Sequence, residues 1–234
     1  MKYVACGASV IGPRHDQLAE PNQDAILLSG NRGGWIFAVA DGLGSRTRSD
    51  IGAQLACKIA KQSLRKNEHA DELESSLEKI HSAWVEAVSP EHVDQSSTTL
   101  LLGSVTRQGV VRVAQLGDGL ILMRERGKFA VLSSSRTGFS NQTCALSRNH
   151  EPSQWVSGTG NFANPGDGVV LMTDGVSEDI DSANLPEFME ALYRNVFRRN
   201  RRRCRRWLER ELSNWATPLH SDDKSLVAVF RVSS

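Results

Sequence analysis

The chain contains no apolar run near the ~18 residues that a membrane-spanning helix needs, so no membrane partner is expected. It lacks Pro-rich and Ser/Gly-rich tracts and any repeat at a solenoid period, which argues against stacked or linker-joined architectures. Its four cysteines (Cys6, Cys57, Cys144, Cys204) never form a CxxC pair, and its six histidines never fall in HxH or HxxxH. Both zinc and a disulfide framework are therefore disfavoured, and the thiols read as those of a reducing, cytoplasmic protein. No G-x-G-x-x-G or Walker pattern precedes a helix, which leaves nucleotide folds without support. The first residues, MKYVACGASVIG, carry one Lys and an alternating pattern that suits a strand better than a signal peptide. With 28 basic and 27 acidic residues, no one-signed field covers the chain as a whole.

What remains is acidic and sharply placed. Two apolar, β-branched runs close on Asp-Gly: WIFAVADGLGS, carrying Asp41 and Gly42, and GVVLMTDGVSEDI, carrying Asp174. A carboxylate at a strand end, beside a Gly that lets the backbone turn, is a common way to hold a hard cation on a rigid frame. Asp118 in QLGDG, Asp222 before SLVAVFRV and Asp24 in NQDAILL fit the same description. One Asp-Gly alone would only mark a turn. Five strand-edge aspartates within 234 residues ask for more.

The remaining pattern predicts strands over 2–11, 25–29 and 35–40, the first two separated by the polar loop GPRHDQLAEPNQ. Ile51, Leu55, Ile59 and Leu64 predict a core-facing helix over Ser49–Lys66, capped by Ser49 or Asp50. Leu73, Leu77, Ile80, Trp84 and Val88 predict a second helix, ending at Pro90. Short β-rich runs follow, from SSTTLLLGSVT to KFAVLSS, separated by Gly-containing turns. Residues 135–165 read as a long irregular loop, Pro186 to Trp215 as one long helix, and SLVAVFRV as a final strand. Helices and strands grouped in this way predict an α+β sandwich rather than a doubly wound sheet.

Oxygen-only donor sets suit Mg2+ or Mn2+. If Asp41, Asp174 and Asp222 converge, their charge demands cations, because packed carboxylates cannot all stay ionised unpaired. Two ions bridged by a carboxylate would lower the pKa of a water molecule and aim it at phosphorus.

In order and spacing, NQDA, ADGLGS, SSTTLLL, QLGDG, LMTDGV and SDDKSLVAV resemble the motif series of the PPM, or 2C-type, metal-dependent serine/threonine protein phosphatases, in the form of small stand-alone bacterial members. The resemblance runs from about Ala8 to Val232. It implies one catalytic domain over 1–234, an α-β-β-α sandwich of two antiparallel sheets flanked by helices, with a variable flap at about 135–165. It implies two tight Mn2+ or Mg2+ ions and a third, weaker one. Asp41 matches the bridging carboxylate, Gly42 a carbonyl ligand, and Asp174 and Asp222 the carboxylates of the second ion. These three aspartates are the expected catalytic set. Asp24 matches a residue that binds metal-coordinated water, Asp118 belongs to the third site, and Glu178 stands there for a more usual Asp. The activity implied is hydrolysis of phosphoserine and phosphothreonine in a phosphoprotein, opposite a cognate Ser/Thr kinase, by a monomer. The alternatives are a catalytically silent module of the same fold that binds phosphoproteins or a kinase, and a two-metal nuclease.

Several residues depart from the family pattern. Gln23 stands where an acid is usual, and Asp223 where Asn is common. The loop before Asp24 is longer, so either Arg14 or His15 takes the phosphate-binding place. Arg46 and Arg48 lie in the altered loop after Asp41, as candidates to attract an anionic substrate. Residues 194–210 hold nine arginines, while Leu192, Val196, Cys204, Leu208, Leu212 and Trp215 keep near-helical spacing. That pattern predicts a solvated basic face or a dock for an acidic protein, and nucleic acid is not expected, for want of a reading motif.

Overall fold

A computed structural model describes residues 2–66, 73–132, 144–215 and 221–233. The strands of these residues form two five-stranded sheets. The first has the order β1 (Lys2–Val10), β10 (Lys224–Val232), β9 (Gly168–Met172), β6 (Leu120–Glu125) and β7 (Lys128–Leu132). The second runs β2 (Asp24–Asn31), β3 (Gly34–Asp41), β4 (Leu100–Val105), β5 (Val110–Leu116) and β8 (Val156–Asn161). Every neighbouring pair is antiparallel.

Strand alternation sorts the apolar residues into layers. Phe37, Val39, Leu101, Val113, Leu171 and Val229 point between the sheets, while Ile36, Ala38, Leu100 and Leu102 meet helices on the outside of the second sheet. Val170, Met172, Ala228 and Phe230 do the same on the outside of the first. A period of two with both faces covered turns alternation into an unbroken apolar run, which is why these strands read as buried from sequence.

The helices behave less uniformly. On the second sheet lie α2 (Ser49–Lys66) and α3 (Leu73–Val88), following the short α1 (Pro13–Leu18). All five α3 residues expected in the core are buried. In α2 Ile59 and Leu64 are buried as expected and Leu55 packs beside them, but Ala53, Ala56 and Ala60 are fully covered as well, and Ile51 is exposed at 37%. Small side chains let the helix axis approach the sheet closely. The first sheet is covered by the four-residue α4 (Asp174–Ser177), α5 (Leu185–Phe197) and α6 (Arg201–Ser213).

Three expectations need correction here. The loop before Asp24 contains α1, whose six residues carry no apolar period that could have revealed it. The single helix expected over Pro186–Trp215 is two helices, α5 and α6. The apolar spacing continues across their break, but Asn200 accepts a hydrogen bond from the Arg203 amide and starts a new helix. Within the stretch 135–165, residues 135–143 lie outside the described residues, and the rest is only partly irregular. Leu146 exchanges backbone hydrogen bonds with Thr98, and β8 adds the edge strand to β5. Two glycines and few apolar residues in Val156–Asn161 hid that strand.

Capping at Asn200 should matter measurably. Asn200→Ala is expected to lower stability by about 1 kcal/mol, read as a drop in the urea midpoint at unchanged slope. An unchanged midpoint would place the cause of the α5–α6 break elsewhere.

Candidate metal centre

Strand order brings the acidic residues to one end of the sandwich. Asp24 opens β2 and Asp41 closes β3, opposite each other in register. Asp174 follows β9, Asp222 precedes β10, and Asp118 sits in the turn between β5 and β6. Val10, at the end of β1, pairs with Lys224, so the segment carrying Arg14 and His15 leaves at the same end. An open cleft of about 250 Å³ results, lined by Asp41, Gly42, Asp118, Asp174, Asp222, Arg14 and His15 among others.

Carboxylate oxygens of Asp41, Asp118 and Asp174 lie within 4.8 Å of one another. Asp222 groups within the same limit with His15 and Asp223. Burial pushes the Asp41 carboxyl well above its ordinary range, and the charges of Asp24, Asp174 and Asp222 push it further. Asp174 is raised by burial and then by Asp118, and a hydrogen bond from Asp41 partly offsets this. Burial also raises Asp24 strongly, against hydrogen bonds from Ser225 and Thr173. Packed acids with suppressed ionisation and hard oxygen donors fit divalent cations such as Mn2+ or Mg2+, whose charge would restore all the carboxylates to the ionised form.

Close backbone contacts hold these side chains. The Asp41 carbonyl accepts from the Thr98 hydroxyl (2.8 Å) and the Thr99 amide (2.8 Å), and its amide donates to Thr99 Oγ1 (3.0 Å). The SSTT motif thus clamps the backbone that presents Asp41. On the other side, residues 221–223 thread between two glycines. A Cβ on Gly12 would stand 2.2 Å from the Asp222 carbonyl carbon, and one on Gly175 would stand 2.1 Å from the Asp223 oxygen. No side chain fits at either position, so the Asp222 backbone is pressed close to both α1 and α4. Thr173 ties the strands together, donating to Asp24 Oδ2 (3.0 Å) while its Oγ1 accepts from the Ser225 amide (3.1 Å).

Asp223 has a role that its position beside Asp222 did not suggest. Buried at 3% exposure, it accepts from the amides of Gly12 (2.6 Å) and Gln23 (2.6 Å) and lies 2.9 Å from His15 Nδ1. It therefore fixes α1 against the cleft. Of the two phosphate-binding candidates, His15 is buried and engaged by Asp223, whereas Arg14 is exposed on the rim with no ion pair among the described residues. Gln23 turns its side chain to the Ser49 hydroxyl, 3.0 Å away, rather than into the cleft. The Ser49 hydroxyl also lies 3.1 Å from the Arg46 carbonyl, so it spans the loop after Asp41. Lys224, buried at 4%, donates to the Asp222 carbonyl (3.0 Å) and brings a positive charge beside the acids.

Other candidates fall outside. Glu178 is exposed just past the end of α4 and is not among the residues lining the cleft. Asp24 sits behind Asp41 rather than on the cleft wall. Neither Arg46 nor Arg48 lines the cleft, while Gly42, Leu43 and Gly44 of the same loop do.

A sequence profile of protein phosphatase 2C matches residues 11–215. The chain belongs to that family. The fold agrees with solved structures from it. The catalytic domain of the serine/threonine phosphatase PstP, solved with two manganese ions, superposes with a TM-score of 0.68 at 18% identity, covering 99% of each chain. PppA, a regulatory component of the type VI secretion system of Pseudomonas aeruginosa, gives 0.67 at 19% identity, over 98% of this chain and 97% of its own. The S. agalactiae serine/threonine phosphatase gives 0.69 at 14%, over 99% and 100%. No curated protein matches in sequence. At such identities the likeness is one of fold, and the family's two antiparallel sheets flanked by helices are the ones seen here.

The raised carboxyls set a pH dependence. Because Asp24, Asp41 and Asp174 are held above the ordinary 3.8, the metal-free native state binds more protons than the unfolded chain. Stability in a chelator should therefore fall as pH rises from the ordinary carboxylate value through the raised one. Asp41→Asn should raise the melting temperature of metal-free protein at neutral pH and shrink the gain on adding Mn2+. A lower metal-free melting temperature for Asp41→Asn would contradict like-charge crowding as the controlling effect.

Proposed function

We propose that the chain is a metal-dependent phosphoprotein phosphatase, one catalytic domain acting on phosphoserine and phosphothreonine. The observation that carries this reading is the convergence of Asp41, Asp118 and Asp174 within 4.8 Å at the floor of an open cleft. Oxygen donors of this kind, from a chain of the phosphatase 2C family, suit Mn2+ or Mg2+. When bound, such ions would supply Lewis acidity and an acidified water nucleophile for attack on phosphorus.

The chain's own residues divide the remaining work. Asp41 and Asp174 would hold the two tight ions with Asp222 and the Gly42 carbonyl, and Asp118 would serve a weaker third. Asp24 would act from behind Asp41, on water rather than directly. Arg14 would meet the phosphate at the rim, where its planar fork can grip two oxygens and offset the repulsion of the carboxylates. His15 is committed to Asp223 and would keep α1, and thus Arg14, in place. The open cleft suits a phosphorylated side chain on an extended polypeptide better than a small metabolite that needs enclosure.

Turnover of p-nitrophenyl phosphate that depends on Mn2+ and is stopped by chelation tests the reading directly. Asp41→Asn should lower kcat by about 100-fold or more, comparable to loss of one preorganised charge-stabilising group. Asp118→Asn should leave the tight ions in place and lower the rate less. No turnover from folded protein with Mn2+ bound would instead identify a silent member of the family, and diester cleavage without monoester cleavage a nuclease. For Arg14→Ala the expected change is a KM for phosphopeptide raised roughly 10- to 100-fold, exceeding the fall in kcat. A larger KM change for His15→Ala would reverse the two roles.

A further inference from the structure

The arginine-rich run is left unused by the cleft chemistry. Residues 194–210 carry nine arginines, no lysine and one acid, Glu209, within a chain whose overall formal charge is +1. Four of the arginines have internal partners. Arg194 pairs with Glu190 (2.9 Å), Arg205 pairs with Glu209 (2.7 Å), Arg199 lies over the Trp207 ring, and Arg201 lies over Trp35. The other five, Arg198, Arg202, Arg203, Arg206 and Arg210, are exposed and have no ion pair among the described residues. Within α6, Arg202, Arg206 and Arg210 follow one another at i, i+4 and i+8 and form a single stripe. Like charges at that spacing repel along the helix, and no acid among the described residues pairs with them.

Two further features adjoin the stripe. A groove of about 120 Å³ between α5 and α6 is lined largely by apolar groups, including Phe188, Leu192, Trp207, Leu212 and Trp215. Trp207 stands one turn from both Arg203 and Arg210, so the groove opens beside the basic face. Position is the second feature. The Arg201 guanidinium reaches the Leu28 carbonyl (3.4 Å) and the Trp35 ring, at the opposite end of β3 from Asp41. Six residue steps along a strand, about 20 Å, thus separate the start of α6 from Asp41, while the groove, lined also by Leu226, begins four residues along the chain from Asp222.

We infer that the exposed face of α6, with its groove, docks an acidic stretch of polypeptide in the phosphoprotein substrate, apart from the cleft. The inference rests on the phosphatase reading above for the word substrate, but not for the docking itself. Arginine forks match carboxylates in pairs, and the apolar groove asks for a hydrophobic side chain that a nucleic acid backbone does not offer. The cleft itself disfavours acidic sequence, because Glu20, Asp41, Asp118, Asp174 and Asp222 all line it. An acidic segment therefore binds where the arginines are, and tethers the phosphorylated residue at raised effective concentration. An extended linker of about ten residues spans the distance along the curved surface, at ~3.3 Å per residue.

The test compares two phosphothreonine peptides, one short and one extended through such a linker to a glutamate-rich tail containing a single Leu. With the wild-type protein and Mn2+, the extended peptide should show a KM lower by about tenfold, a gain that shrinks as salt is added. The triple variant Arg202→Gln, Arg206→Gln, Arg210→Gln should erase that gain and leave p-nitrophenyl phosphate turnover unchanged. Equal KM values for the two peptides in wild type, or a gain that persists in the variant, would overturn the inference. Anisotropy of the labelled, unphosphorylated tail measures docking without turnover, so an inactive protein would still show binding that the triple variant loses. A DNA duplex or phosphatidylserine vesicle that binds more tightly than the tail and displaces it would assign the face to another class of partner and overturn the proposal.

Discussion

Like charges held a few ångströms apart are the constraint around which this end of the molecule is organised. Asp24, Asp41 and Asp174 are raised by burial and by one another, and a chain that placed them together on flexible loops would let them drift apart. The sandwich prevents that by tying each carboxylate to a strand end and each strand end to a neighbour. Thr98 and Thr99 clamp Asp41, Thr173 joins Asp24 to β10, and two glycines admit the Asp222 backbone between α1 and α4. The repulsion is thereby kept in place rather than relieved, and it becomes the affinity that the proposed cations would meet.

Asp223 answers a different electrostatic problem beside the same cluster. It is a buried carboxylate with three donors, two of them backbone amides, so its charge is satisfied by the protein itself. Adjacent residues thus take opposite parts: Asp222 faces the cleft and Asp223 faces the scaffold. An asparagine at 223 would offer one acceptor oxygen and turn an NH2 group toward an amide donor, so the longer loop with its α1 helix and the acid at 223 belong together. The departure from the family pattern is explained by what the side chain touches.

The sequence carried the layers and the converging strand-end aspartates legibly, because both rest on local signals. Alternation in WIFAVAD and GVVLMTD marks strands covered on both faces, and the Asp-Gly that follows marks their ends. Features set by distant partners were hidden. Helix α1 depends on Asp223, some 200 residues away along the chain, and has no period of its own. The α5–α6 break depends on a single capping side chain inside an unbroken apolar spacing. In α2 the large residues marked only part of the buried face: Ile59 and Leu64 are covered, but Ala53, Ala56 and Ala60 turn inward with them and Ile51 stays exposed. Glu178 was placed by motif spacing alone, and it is exposed just past α4 rather than lining the cleft.

The strand order β1-β10-β9 has a consequence in time. On the ribosome, β1 and β9 emerge with an open slot between them, and β10, which fills it, is the last of the ten described strands to appear. Asp222 arrives with that strand, so the acidic cluster lacks a member until the first sheet has closed. Contacts between the first and last strands are among the slowest to form, because the intervening chain must already be arranged. A nascent chain without β10 therefore has a split first sheet and an acidic cluster short of Asp222.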